Sequence, residues 1–150
     1  WFGSKGVEIV FACGGGIYTS AAEAAVKTGG KIIGVDLDQS ATIDEYEDGL
    51  TVTSAMKGLQ VTIDNVLSAI KGGTWDAYAG EMENLGLESA NPEENYVQLP
   101  ETTTQWDDNF TVDDYRDLVQ RMYDGELTVS GDTTSFPETE IQATDYGSIK

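Results

Sequence analysis

Asp36 and Lys57 are the residues of this 150-residue chain best placed to do chemistry. Asp36 ends the run Lys31-Ile32-Ile33-Gly34-Val35-Asp36, an apolar, β-branched stretch that reads as a strand buried on both faces of a parallel sheet. Ligands of open α/β sheets sit just beyond the carboxyl ends of the strands, so an acid there is placed to touch something. Lys57 follows a second strand-like run, Leu50 to Met56, and is the only base between Lys31 and Lys71. Taken alone, a lysine at such a junction is a surface residue. If the two strands are neighbours, however, acid and base share one end of the sheet. A carboxylate accepts from two adjacent hydroxyls and an ammonium donates to them, which is how a ribose is held.

Two other constellations have chemistry of their own. Gly14-Gly15-Gly16 follows a strand and opens a helix, where backbone amides can approach a ligand closely and the helix N-terminus favours anions or polar oxygens. With Asp36 further along, this imitates a dinucleotide-binding fingerprint, but the third glycine of that motif falls at Thr19. The competing reading is a tight turn that only permits close strand–helix packing. The acidic stretch Asp36 to Glu47 imitates a calcium loop, with Asp36, Asp38, Ser40, Asp44 and Glu47 as oxygen donors. Ala41 stands where that loop needs glycine, and the segment before it is a strand instead of the required helix. A solvated connection is the simpler account.

The elements that must position these residues follow from periodicity. Val7 to Ala12 reads as a buried strand, and Ser20-Ala21-Ala22-Glu23 has capping-box spacing before an alanine-rich helix, Ala21 to Lys27, stopped at Gly29-Gly30. With the Lys31–Asp36 strand this makes a βαβ unit with a right-handed crossover. Leu59, Ile63, Val66, Leu67 and Ile70 recur at helical spacing up to Gly72-Gly73. A strand-like piece over Tyr78 to Leu87 and a strand from Tyr96 to Leu99 follow. Thr111-Val112-Asp113-Asp114 caps a last helix with Val112, Tyr115, Leu118, Val119, Met122 and Tyr123 on its apolar face and Gly125 at its end. Residues 128–150 read as irregular, with room for a short strand. The expected class is α/β, a mostly parallel sheet flanked by helices.

Composition narrows the function. The net charge is −19, and residues 75–150 hold 18 acids against 3 bases. Phosphate backbones and anionic lipid surfaces repel such a chain, so nucleic acid is not an expected partner. Histidine is absent, which excludes Ser-His and Cys-His nucleophile pairs, His-ligated zinc and His acid–base catalysis. The one cysteine, Cys13, leaves no internal disulfide and does not fix the compartment. No apolar run approaches the ~20 residues that span a bilayer.

Three segments together resemble one family. Val7-Glu8-Ile9-Val10-Phe11-Ala12-Cys13-Gly14-Gly15, Ile32-Ile33-Gly34-Val35-Asp36-Leu37-Asp38-Gln39, and Leu50-Thr51-Val52-Thr53-Ser54-Ala55-Met56-Lys57 resemble, in order and spacing over about residues 5–100, the basic membrane protein family of ABC-transporter substrate-binding lipoproteins, a group that includes purine nucleoside receptors. The ending Tyr123-Asp124-Gly125-Glu126-Leu127-Thr128-Val129 is also similar to that family's closing segment. The family spaces further glycines where Ile17 and Thr19 stand here. The resemblance implies a type I periplasmic-binding-protein-like lobe, a nucleoside as the ligand, and an ABC transporter permease as the partner of the full-length, extracytoplasmic, lipid-anchored protein. It places ribose binding on Asp36 and Lys57 and a loop contact around Gly14, Gly15 and Gly16. It implies no cofactor, no metal and no catalytic residue. It further implies that residues 1–150 are the C-terminal portion of a two-lobed protein. In that arrangement 5–57 belong to the C-terminal lobe, 58–87 cross to the other lobe, and 88–150 return. Base-stacking aromatics would lie in the other portion, leaving Tyr18, Trp75 and Trp106 as core or surface residues first. The chain alone would bind nucleoside weakly or not at all, and the uncovered face of the Leu59–Ile70 helix would favour a rearranged or swapped homodimer. An NAD-binding oxidoreductase domain and a calcium-dependent structural module are the alternatives.

Overall fold

Lys31–Asp36 (β2) lies inside a four-stranded sheet, where an apolar strand of this kind finds cover. The computed structural model describes residues 1–135 and 138–147. A short helix, Phe2–Lys5 (α1), precedes Ile9–Phe11 (β1), and the 3-10 turn Gly15–Ile17 leads into Tyr18–Thr28 (α2). After β2 come Ser40–Ile43 (α3), Thr51–Lys57 (β3) and Leu59–Gly72 (α4). Two 3-10 turns, Trp75–Ala77 and Pro92–Glu94, then Val97–Gln98 (β4) and Val112–Tyr123 (α5), complete the order. The sheet runs β1-β2-β3-β4, with the first three strands parallel and β4 antiparallel to β3. This is α/β, a mostly parallel open sheet flanked by helices, consistent with a Rossmann-like or type I periplasmic-binding-protein-like lobe.

The core forms between α2, α3 and β2. Ala22, Ala25, Ile32, Ile43 and Leu50 are buried together, with Phe2, Val10, Tyr18 and Ala21 packed around them. The small alanines let α2 approach the sheet closely, and Gly29 takes a left-handed φ of 71° to end the helix. Beyond β4 the chain runs along the outer side of β3: Thr53 and Thr104 share a hydroxyl hydrogen bond of 2.7 Å, and Gln105 N–H donates to the Val52 carbonyl at 2.8 Å. The α5 helix docks on this return segment. Its Tyr115 hydroxyl accepts from Leu99 N–H, and Trp106 stacks on the Tyr115 ring at 5.5 Å. The Thr111–Asp114 capping box expected from the sequence is formed in both directions.

Several elements differ from their sequence readings. The first strand keeps only three residues of Val7–Ala12, and Ile9 and Phe11 are about half exposed, because β1 is the sheet edge and has a neighbour on one side only. Ser20 does not cap a helix: α2 already begins at Tyr18, continuing the 3-10 turn. The 39–50 connection is not a plain solvated loop, since Ile43 is fully buried and the Asp44 carboxylate accepts from both the amide and the hydroxyl of Thr51. Tyr78 to Leu87 forms no strand; it is irregular, with Met82 98 % exposed and one backbone bond, from the Tyr96 amide to the Gly86 carbonyl, toward β4. The strand read at Tyr96–Leu99 shrinks to two residues. No strand forms among the described residues after 128.

The α4 helix has the expected extent and the expected apolar face, but that face is open. Among its 14 residues only Ala69 is buried, while Ile63 and Leu67 are 58 % and 57 % exposed. Gly58 ties its start to the return strand: the Gly58 amide donates to the Tyr96 carbonyl at 2.8 Å, and a Cβ there would lie 2.9 Å from the Asn95 carbonyl oxygen.

Candidate ligand-binding site

Three parallel strands put their carboxyl ends on one edge of the sheet, and there the residues singled out from the sequence gather. Asp36 is the last residue of β2 and pairs in register with Met56 of β3, so Lys57 follows one position beyond. The Lys57 ammonium lies 2.6 Å from Asp36 Oδ1, and the two side chains remain 61 % and 42 % exposed. The pair is therefore reachable from solvent. Oδ1 itself is covered, and the lysine is the group that meets it. This short contact with Asp36, then the carboxylate's charge, holds the Lys57 pKa above its ordinary value, with Cys13 adding to the same field.

The backbone at Asp36 is unusual. Its φ is 70°, the sole positive φ at a non-glycine among the described residues. The Leu37 amide bonds back to the Val35 carbonyl at 2.8 Å, which makes Asp36 the centre of a γ-turn of the rare, positive-φ kind. Such a turn costs about 1–3 kcal/mol and persists where the surroundings over-determine it. Here they do. β1 stops at Phe11, leaving the Val35 amide on that side of β2 without a strand partner, and Gln39 Oε1 accepts from it at 2.8 Å. The Gln39 amide in turn donates to Ser54 Oγ at 3.1 Å. Gly34 makes room for both, since a Cβ there would lie 2.5 Å from Ser54 Oγ and 3.0 Å from Gln39 Cβ.

Asp38 points elsewhere. Partial burial opposes its charge, but donors from the Ser40 amide and the Thr103 hydroxyl outweigh this and bring its pKa below the usual carboxylate range. It anchors the loop to the return segment. Gly14, Gly15 and Gly16 leave β1 at the same sheet edge as Asp36 and Lys57. Gly15 has a φ of 23°, a Cβ on Gly14 would press on Ile17, and Gly16 borders open space. Thr19, which stands where a dinucleotide motif has its third glycine, returns its hydroxyl to the Gly16 carbonyl.

The aromatic residues singled out from the sequence are held in other roles. Tyr18 packs against the core, Trp75 sits in the turn after α4, and Trp106 is engaged by Tyr115. Two clefts of about 650 and 640 Å³ also lie apart, one lined by Trp1, Phe2 and α2 residues, the other by Glu101 and Arg116. Asp36 and Lys57 thus stand on an open ledge, as one wall of a cleft would.

The alternative chemistries fare less well on this geometry. A dinucleotide sits where the strand order reverses beside the first strand; here β1 is the edge, and among the described residues no strand lies on its far side. The oxygen donors of 36–47 do not converge, since Asp44 turns to Thr51 and Asp38 to Ser40 and Thr103, and no group of three or more metal-ligating side chains forms among the described residues. Sequence reasoning placed Asp36 and Lys57 at strand ends that the structure brings together, but not the contacts of Gln39 and Ser54. The signal was Gly34, a glycine inside a strand, which marks a close approach. No protein-family model matches this chain, and no curated protein matches it in sequence.

Proposed function

We propose that this chain is the C-terminal portion of an extracytoplasmic solute-binding protein that delivers a nucleoside, a purine nucleoside first, to an ABC importer. The observation that carries the reading is the contact ion pair of Asp36 and Lys57 on an accessible ledge at adjacent strand ends. A bound ribose would draw the exposed Lys57 ammonium toward its oxygens and give its vicinal hydroxyls to the carboxylate. The glycine turn Gly14–Gly16 offers backbone groups at the same edge. No residue is assigned a catalytic role.

The other wall of the site, with the aromatic groups that would sandwich the base, belongs on this reading to the N-terminal lobe of the full-length receptor. The open face of α4 supports that division, because a helix with this apolar stripe calls for a partner. Titration calorimetry with guanosine, adenosine and inosine tests it. The full-length receptor should bind at least one of them at micromolar strength or better, and residues 1–150 alone should bind far more weakly. Micromolar or tighter binding by the isolated chain would overturn the two-lobed reading.

A further inference from the structure

We infer that Gln39, seated on Ser54, is a positioning residue that holds Asp36 in its left-handed turn and so sets how strongly the site prefers a vicinal diol. The inference rests on the nucleoside reading for its ligand, and on geometry alone for the turn. In a relaxed, extended strand end the Asp36 side chain would project to one face of the sheet. A φ of 70° turns it away from that course, and at this φ it meets Lys57. Aspartate tolerates such a φ better than most residues, but the conformation still has to be held.

Gln39 is the holder. Its Oε1 takes the Val35 amide, the residue immediately before the turn, while the Leu37 amide, immediately after, closes on the Val35 carbonyl. Both backbone groups of Val35 are thereby fixed, and Asp36 has little freedom left. Ser54, fully buried on β3, fixes Gln39 by accepting from its amide. The chain of contacts runs from β3 through Gln39 to the turn, so the carboxylate is aligned against the strand that carries Lys57. A diol needs two hydrogen bonds in one plane of the carboxylate, and a tilt weakens the pair more than it weakens a single bond.

Two variants separate the holding contact from side-chain size. Gln39→Met keeps the length and removes the acceptor. Gln39→Glu keeps an acceptor for the Val35 amide. Crystal structures of the full-length receptor read the Asp36 φ without any ligand, and calorimetry with adenosine and 2′-deoxyadenosine reads diol preference. Gln39→Met should bring the Asp36 φ to a negative value and cut the ribose-to-deoxyribose affinity ratio by about tenfold. Gln39→Glu should keep the positive φ and most of the ratio. Ser54→Ala, which releases the Gln39 amide, should act in the direction of Gln39→Met and serves if that variant does not fold. A positive φ in Gln39→Met, or in Ser54→Ala where that variant stands in, would overturn the inference. So would a lost turn with an unchanged ratio. If the wild-type receptor binds no nucleoside, the proposed function falls and with it the role in diol preference, while the Asp36 φ in the variants still decides whether Gln39 holds the turn.

Discussion

Asp36 carries both the strained backbone and the charge of the candidate site, and its neighbours explain how one residue sustains both. Its φ of 70° is held by bonds to Val35 on either side, and its carboxylate is met by an ammonium 2.6 Å away. Crowding at Gly34 is part of the same device. Gly34→Ala would drive a methyl to within 2.5 Å of Ser54 Oγ, so thermal unfolding should reveal a loss of about 1–3 kcal/mol, and an unchanged melt would show that the crowding is relieved elsewhere. At Lys57 the pKa is raised, so the ion pair is fully present below the ordinary lysine value of 10.5 and is lost as pH climbs through the higher folded value. No histidine of residues 1–150 titrates between about pH 6 and about pH 8, so the contribution of Lys57 to nucleoside affinity should be constant over that range, and Lys57→Met should lower affinity about tenfold at each pH. A step in affinity between those limits would mean that another group controls binding. That Asp36 and Lys57 would share one end of the sheet was legible in the sequence, because each closes a strand-like run. The turn was not legible, since nothing in the types Val35, Asp36 and Leu37 specifies a positive φ; it arises from a glutamine and a serine in other elements.

At the scale of elements, periodicity predicted what long patterns determine. The α4 and α5 helices, with five and six apolar positions in phase, appear where they were expected, and α5 bears its capping box. Thr111→Ala should cost about 1 kcal/mol of stability and Thr111→Ser far less, measured by denaturant unfolding. Equal losses in both would remove the cap from the account. Short apolar runs were less faithful guides. Val7–Ala12 and Tyr96–Leu99 shrank because an edge strand lasts only as long as its neighbour pairs with it, and β4 meets β3 at Met56 and Lys57 alone. Tyr78–Leu87 had strand-like composition but makes a single backbone bond toward β4, from the Tyr96 amide to the Gly86 carbonyl. The 39–50 connection hid a core residue, Ile43, since one apolar side chain in a polar stretch sets no period.

At the scale of the whole molecule, charge and apolar surface are distributed unequally. Residues 75–150 contribute 18 of the acids, and the exposed apolar side chains include a stripe along α4 and the pair Ile9 and Phe11 on β1. On the two-lobed proposal the α4 stripe is covered by the other lobe. Without that lobe, residues 1–150 should self-associate into a homodimer in sedimentation experiments, and Ile63→Glu with Leu67→Glu should return them to monomers. A monomeric wild-type chain at high concentration would argue that the stripe needs no cover. The fold class was legible from the βαβ order alone; which surfaces stay open was not, because helical periodicity marks an apolar face without saying what lies opposite.

The central claim is that Asp36 grips the ribose of a nucleoside. Titration calorimetry of the full-length receptor and its Asp36→Ala variant, with guanosine, adenosine and inosine, tests it most directly. The account predicts a loss of about a hundredfold or more in affinity in a protein that still unfolds cooperatively, from two charge-assisted hydrogen bonds removed together. Affinity that stays within about threefold of the wild type would contradict it.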